Sequence, residues 1–319
     1  MTHYSRLGMP TTEFGDTTYQ LGLDLARDGI RMSELVWDCD ELLWDWVMDG
    51  RELARRLPAL TQQKFGHTEF VRIKPGMMEF LWGLSDGNAA LGHDPFMRIA
   101  TNGYPYRLFL MAQQLPWLAD LVGPPANAAK YTGWRSHPRI LTRWDYAKVA
   151  ELALHGAQLG LDVFAGSTNA ELLRQHFRRR PFNSSFKLPE LAALVGKDGF
   201  ANTKILIDDH TSNVTRFHRS GRTAIHAIVL GTPQKGRVPN VTLDVQAHLD
   251  RVCTDIVQPV EQALRAALAR PPQVVQAHTQ PLPRGAQSLE LTLEIPSDRI
   301  GAEWVEPLRR LKRQYSAAR

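Results

Sequence analysis

The sequence has few cysteines and no long apolar run. Its only two cysteines, Cys39 and Cys253, are far apart in a chain of 319 residues, which argues against a disulfide framework or a zinc knuckle. No stretch approaches the roughly 20 apolar residues of a transmembrane helix, and the opening residues lack the apolar core of a secretory signal. We therefore expect a cytoplasmic protein without membrane contact.

The sequence also lacks a strong excess of either charge. It contains 38 basic and 33 acidic residues, carries a formal net charge of +5, and is 43% hydrophobic, which is typical of globular proteins. Its length suits one large domain with an insertion, or two modest domains. Arginine outnumbers lysine, but codon usage explains this as readily as anionic partners do. The function must be sought in particular residues.

Three segments have the pattern of buried strands that end in polar groups. They are residues 34–38 (ELVWD), 97–103 (MRIATNG) and 204–213 (KILIDDHTSN). Helical patterns at 75–84 and 106–122 lie between them, and this alternation predicts an α/β fold, a Rossmann-like three-layer sandwich with a mostly parallel sheet. Because ligands bind outside the carboxyl ends of parallel strands, we expect the three polar ends to converge.

The remaining segments indicate how the chain is divided. Helical patterns at 147–161 and 170–180 predict a helical cap insertion, and the C-terminal part predicts helices within 242–270, a strand at 288–295 and a helix at 302–315. We therefore expect three parts, which are a split core (1–124 and 181–240), a cap insertion (125–180) and a C-terminal helical and strand–helix extension (241–319).

Carboxylates are concentrated at the predicted strand ends. Asp38 and Asp40 flank Cys39 after the first strand, and Asp208 and Asp209 end the third. Magnesium prefers oxygen ligands and usually takes one or two carboxylates together with phosphate oxygens and water. Carboxylates that cluster without a cation would repel one another. The sequence therefore predicts a Mg²⁺ site formed by these four aspartates.

The order of these motifs resembles that of the haloacid dehalogenase (HAD) superfamily, in its phosphatase branch. The matching residues are DCDELL at 38–43, TNG at 101–103, a lysine at 187 and DD at 208–209, with a helix (KPGMMEFLWGL) after the first motif. The resemblance covers roughly residues 34 to 230. The family commonly has Gly and then Thr or Val after the second aspartate, where this chain has Glu41 and Leu42, but no catalytic group is lost.

The resemblance implies a role for each matching residue. Asp38 would attack phosphorus and form an aspartyl phosphate. Asp40 would protonate the leaving oxygen and then deprotonate the attacking water, and its backbone carbonyl would bind Mg²⁺. Thr101 and the Asn102 backbone would hold phosphoryl oxygens, and Lys187 would neutralise charge on the phosphate and on Asp38.

The last motif completes the implied set. Asp209 would bind Mg²⁺ directly, Asp208 would do so directly or through water, and Asn213 would orient them. The lysine has an alternative, because Lys204 stands immediately before the third predicted strand. Lys187 is favoured since a Leu-Pro-Glu run follows it and signals a helix start.

Hydrolysis of phosphate monoesters is the reaction that the motifs indicate. Asp40 argues against the halide-releasing branch, and the lack of apolar spans argues against the ion-pumping branch. Trp44 and Arg143 belong to sets of aromatic and arginine residues that could hold a nucleotide or a nucleic-acid end. The same residue types also serve as core and as solvated helix faces, so the identity of the phosphorylated substrate stays open.

Two other functions remain open at the level of sequence. One is a nucleic-acid-binding or regulatory protein with a secondary or inactive phosphatase-like site, since a basic C-terminal segment could contact phosphates. That segment contains four basic residues: Arg309, Arg310, Lys312 and Arg313. The other is a phosphoprotein phosphatase, although the long insertion favours a partly covered site and a small substrate. The sequence carries no signal for an oligomeric state.

Overall fold

The computed structural model describes most of the predicted core. The described residues are 13–39, 42–48, 68–73, 77–103, 108, 112, 116–124, 135–179, 187–229, 257–269, 274–279, 292–296 and 313.

The described residues form eight helices and nine strands, with two short 3-10 turns at Met32–Glu34 and Asp198–Phe200. The helices are α1 (Glu13–Arg27), α2 (Met77–Ala90), α3 (Pro116–Val122), α4 (Arg143–Gln158), α5 (Ala170–Arg179), α6 (Pro189–Leu194), α7 (Thr211–Arg219) and α8 (Gln258–Ala269). The strands are β1 (Leu35–Trp37), β2 (Trp44–Met48), β3 (Thr68–Ile73), β4 (Ile99–Ala100), β5 (Ile140–Leu141), β6 (Ile205–Asp208), β7 (Thr223–Val229), β8 (Val274–Thr279) and β9 (Thr292–Pro296).

The larger of two sheets has six parallel strands in the order β5-β4-β1-β6-β7-β8. The chain moves from β1 to one edge through β4 and β5, and then crosses to the other side of β1 to form β6. Such a reversal opens a crevice at the carboxyl ends of the two central strands, where α/β proteins bind ligands. The predicted Rossmann-like α/β fold with a mostly parallel sheet is confirmed.

The two faces of this sheet are both covered by helices. β1 and β6 are buried along their whole length, as parallel strands between two helical layers are. Leu35 and Trp37 point into a core shared with α1, α2, α3 and α8. Val36 points into a second core shared with α4, α5, α6 and α7. This alternation produces the three layers.

The smaller sheet is antiparallel, with the order β2-β3-β9. β2 begins at Trp44, shortly after the end of β1, and Trp44 pairs with Ile73 of β3. β9 pairs with the other edge of β3, where Thr292 lies opposite Arg72. Of the strand predicted at 288–295, residues 292–295 lie in β9 of this sheet, and the rest lies outside the described residues.

The segment predicted as an insertion contains more than helices. Its two predicted helices are found as α4 and α5. It also contains β5, which pairs with β4 through Ile99 and Ile140 and was not predicted. The range 125–180 therefore contributes an edge strand to the large sheet. β5 has only two residues, Ile140 and Leu141, and this is too short an apolar run to predict a strand from the sequence.

The C-terminal part also adds to the large sheet. α8 lies within the range predicted as helical, and β8, which was not predicted, is the sixth parallel strand. The helix predicted at 302–315 lies outside the described residues apart from Arg313. In the part of the chain that the structure describes, no helix combines the length and the apolarity needed to span a bilayer.

Candidate functional site

The carboxyl ends of three neighbouring strands meet at one place on the large sheet. Thr101 follows β4, Asp38 follows β1, and Asp208 is the last residue of β6; all three are buried. Backbone hydrogen bonds join Asp38 and Thr101 to the adjacent strands. The Asp38 N–H donates to the Ile207 carbonyl at 2.9 Å, and the Thr101 N–H donates to the Leu141 carbonyl at 2.9 Å. The convergence that the sequence predicts is therefore found.

Lys187 bridges two of these strand ends. Its Nζ lies 2.7 Å from Asp38 Oδ1 and 2.7 Å from Asp208 Oδ2. Burial acts to lower the pKa of Lys187, but the Asp208 and Asp38 carboxylates outweigh it and raise the pKa. Lys204, the alternative considered from the sequence, is exposed and pairs with Glu34 at the amino end of β6. Lys187 is thus the lysine that contacts the carboxylates.

The Asp208 carboxylate is held by three groups. Its Oδ1 accepts from the His210 N–H at 2.8 Å and from Asn213 Nδ2 at 3.0 Å. Its Oδ2 accepts from Lys187 and from Asn213 Nδ2 at 2.9 Å. A carboxylate has about four acceptor positions, and these contacts use them. Asp208 therefore holds Lys187 in position, and Asn213 in turn holds the Asp208 carboxylate.

Asp209 adds a third carboxylate next to this pair. Carboxylate oxygens of Asp38, Asp208 and Asp209 can all lie within 4.8 Å of one another. Burial raises the pKa of Asp209, and the neighbouring Asp208 carboxylate raises it further. Its backbone carbonyl is 2.9 Å from His226 Nε2. The cluster has three acidic groups around one lysine, and a divalent cation fits this excess of negative charge.

A tight turn follows Asp38. The Cys39 N–H donates to Asp38 Oδ1 at 2.8 Å, and the Leu43 N–H donates to the Cys39 carbonyl at 2.8 Å. Asp38 Oδ1 thus receives both a backbone N–H and the Lys187 ammonium. Asp40, the predicted acid and base, lies outside the described residues, and Trp44 is described only through its backbone in β2.

The loop after β4 connects the site to α4. The Gly103 N–H donates to Thr101 Oγ1 at 3.0 Å, and the Arg143 N–H donates to the Gly103 carbonyl at 3.1 Å. α4 therefore begins beside the predicted phosphate-binding loop. The side chain of Arg143 is exposed, and Asn102 Oδ1 is buried with no hydrogen-bond partner among the described residues.

A second buried ion pair fixes the start of α4. Asp145 Oδ2 accepts from the Thr142 N–H at 2.8 Å, which forms a capping box, and lies 2.7 Å from Lys197 Nζ. Neither Lys197 nor Tyr146, the next residue of this turn, was predicted from the sequence as a site residue. The Thr-x-x-Asp pattern at 142–145 is the signal that could have located the start of this helix.

An arginine–tryptophan pair lies at the same end of α4. The guanidinium carbon of Arg135 is 4.1 Å from the ring centroid of Trp144, a distance typical of a cation–π contact. Arg135 and Trp144 are further members of the arginine and aromatic sets to which Arg143 and Trp44 belong in the sequence.

Comparisons with known proteins add no relative to this description. No family model matches the chain, and searches of curated proteins and of solved structures found no match. The site must therefore be interpreted from its own geometry and from its motifs.

Proposed function

We propose that the protein is a magnesium-dependent phosphohydrolase of the HAD type that forms an aspartyl phosphate on Asp38. The observation that carries this proposal is the contact of Lys187 with both Asp38 and Asp208, at 2.7 Å each, beside Thr101 on the adjacent strand end. A lysine held between two carboxylates at the crevice of a parallel sheet suits the transfer of an anionic group.

Asp38 is the proposed nucleophile. Its Oδ1 is held by Lys187 and by the Cys39 N–H, and fixing a reacting group in this way lowers the entropic barrier to attack. A carboxylate oxygen of Asp38 forms a bond to phosphorus as the bond to the leaving oxygen breaks. Asp40 donates a proton to that oxygen and later accepts one from water, which hydrolyses the aspartyl phosphate and regenerates the carboxylate.

Charge on the transferred group is balanced by donors that are already in place. Lys187 lies between the strand ends, and its raised pKa keeps it protonated. The Thr101 hydroxyl and the loop that follows it supply further donors to phosphoryl oxygens. Donors that need no reorganisation during the reaction stabilise developing charge most effectively.

The donor set fits Mg²⁺. Asp38 and Asp209, with the Asp40 carbonyl, would hold the ion, while Asp208 acts indirectly because its acceptor positions are used by Lys187, Asn213 and the His210 N–H. The bound ion would supply Lewis-acid stabilisation of phosphoryl charge.

The substrate class is a phosphomonoester of a small molecule, with nucleotides and nucleic-acid ends as candidates. Arg143 supports an anionic or hydrogen-bonding leaving group, because it is exposed at the first position of α4 and its backbone is tied to Gly103. Within the described ranges, no contact favours nucleic-acid binding without catalysis or a phosphoprotein substrate.

The test is phosphate release from an aryl phosphate and from a panel of phosphorylated metabolites, nucleotides and 3′- or 5′-phosphorylated oligonucleotides, with Mg²⁺ or EDTA. We expect metal-dependent release that falls at least about 1,000-fold in Asp38→Asn, and a phosphorylated Asp38 peptide after acid quenching. The matched control is Asp162→Asn, which alters a carboxylate paired with Arg174 outside the cluster. No release from any substrate by folded, metal-supplied protein would refute the proposal.

A further inference from the structure

Tyr146 is a buried phenol in the first turns of α4. The residue is 3% exposed, and its hydroxyl has no hydrogen-bond partner among the described residues. A buried hydroxyl without a partner destabilises a protein, and native structures contain few of them. Because phenylalanine would fill the same space without this cost, the hydroxyl needs an explanation.

The fold brings Tyr146 to the catalytic end of the sheet. α4 starts directly after β5, and the Arg143 N–H donates to the Gly103 carbonyl in the loop that follows Thr101. The ring belongs to the same core cluster as Val36, Ala100 and Leu206. These three residues stand one or two positions before the strand-end residues of the site. The ring therefore belongs to the core on the same face of the sheet as these three residues.

The hydroxyl also shares the electrostatic environment of the site. Burial raises the pKa of Tyr146, the Lys187 ammonium opposes this, and the Asp145, Asp38 and Asp208 carboxylates add to the rise. Tyr146 in turn influences the pKa of Lys187. The phenol is therefore protonated at neutral pH and can act as a hydrogen-bond donor.

We propose that the Tyr146 hydroxyl donates a hydrogen bond to an oxygen of the phosphoryl group bound between Asp38, Thr101 and Lys187. This inference rests on the proposed function. An anionic phosphoryl oxygen is a strong acceptor, and it would satisfy a donor that has no partner among the residues that the structure describes. Tyr146 would thus be a substrate-contacting residue from a part of the chain that contains none of the recognised motifs.

The test uses Tyr146→Phe, which keeps the ring and removes only the hydroxyl. Without phosphate, we expect the thermal unfolding midpoint to be equal to or higher than that of the wild type, because a buried unsatisfied group has been removed. With MgCl₂, we expect the affinity for inorganic phosphate measured by calorimetry, and kcat/KM for an aryl phosphate, to fall about 10- to 100-fold.

The matched control is Tyr19→Phe. The Tyr19 hydroxyl donates to Asp86 Oδ2 at 2.9 Å, at the contact between α1 and α2. This variant should have a lower unfolding midpoint and an unchanged phosphate affinity. The opposite signs of the two stability changes distinguish a hydroxyl reserved for a ligand from one that serves the fold.

Three results would overturn the inference. Unchanged phosphate affinity and turnover in Tyr146→Phe, in a protein whose wild type releases phosphate through Asp38, would refute this role alone and leave the proposed function. A lower unfolding midpoint for Tyr146→Phe would mean that the hydroxyl already has a partner in the free protein. A wild type that neither binds nor releases phosphate would refute both proposals.

Discussion

Two buried lysines in this protein have opposite electrostatic outcomes. Lys187 and Lys197 are each 3% exposed, and each lies 2.7 Å from an aspartate oxygen. Lys187 contacts two carboxylates, Asp38 and Asp208, and its pKa is raised. Lys197 contacts Asp145 and a backbone carbonyl, and burial lowers its pKa although Asp145 opposes the shift. The second carboxylate therefore accounts for the opposite directions of the two pKa shifts, since each nearby negative charge favours the protonated lysine.

A buried histidine extends the comparison. His137 contacts the Gly123 carbonyl at 2.9 Å and accepts from the Arg139 N–H at 3.1 Å, and burial lowers its pKa to about 4. The three basic side chains thus differ in charge and pairing: Lys187 is charged and contacts two carboxylates, Lys197 contacts one, and His137 is neutral at pH 7. Lys197 and His137 have the partners that folding requires, whereas the Lys187 cluster contains more negative charge than folding requires. Such an excess is typical of a site that binds a cation or carries out chemistry.

The largest expected effect separates the two lysines. Replacing Lys187 with Met should lower phosphate release about 100- to 1,000-fold, because one preorganised positive group is removed. Replacing Lys197 with Met should leave turnover within a few-fold. Each change leaves buried carboxylate unpaired, so both should lower the free energy of unfolding by about 3–5 kcal/mol. Phosphate release and urea unfolding of both variants measure this. Equal losses of turnover in the two folded variants would contradict the distinction.

The second-largest expected effect is a loss of stability at acidic pH that depends on His137. His137 has a folded-state pKa of about 4, below its ordinary 6.5, so the unfolded chain binds more protons between these values. The stability from neutral His137 is present above pH 6.5 and is lost as pH falls towards 4, by up to about 3 kcal/mol. His137→Gln should flatten the pH dependence of urea unfolding in this window. The exposed His155, changed to Gln, is the control and should keep the wild-type slope. If the stability of His137→Gln depends on pH as steeply as that of the wild type, groups other than His137 cause the pH dependence.

The smallest effect tests how Lys187 is held. Asn213→Ala removes the amide that donates to both Asp208 oxygens. We expect a loss of about 1 kcal/mol in stability and of about 10-fold in turnover, since groups that orient a catalytic residue have effects of this size. Asn169→Ala is the matched control, because Asn169 donates to Glu190 at 2.8 Å and not to a carboxylate of the cluster. It should lose similar stability and no turnover. The same loss of turnover in both variants would refute the orienting role of Asn213.

The sequence predicted the charged cluster better than its surroundings. Asp38, Thr101 and Asp208 could be found because each ends an apolar run, and this pattern is local. Tyr146 and Lys197 carried no such signal, since their importance depends on which groups the fold brings near them. A tyrosine on a helix is most simply assigned to a hydrophobic core. Tyr146 differs because its hydroxyl is buried without a hydrogen-bond partner among the described residues, which only the structure reveals.

The missed strands have a related cause. Two-residue β5 is too short for a period-two pattern to emerge. β8 follows Pro271 and Pro272, which are typical of a helix end rather than of a strand, and its membership in the large sheet depends on pairing with β7. The small sheet joins β3 to β9 from distant parts of the chain, and no local pattern specifies such a partner. The sequence thus predicted β1, β4 and β6 of the large sheet, and it missed the interior strand β7 as well as the two edge strands.

The pairing of β9 with β3 also has a consequence for biosynthesis. Chains fold from the N-terminus as they leave the ribosome, and all residues of the Asp38, Thr101, Lys187 and Asp208 cluster precede β7. The hairpin of β2 and β3 is complete early, but a two-stranded hairpin alone is only marginally stable. Its third strand is synthesised much later, at Thr292–Pro296. A nascent chain therefore contains every residue of the charged cluster before the last strand of the small sheet has been synthesised.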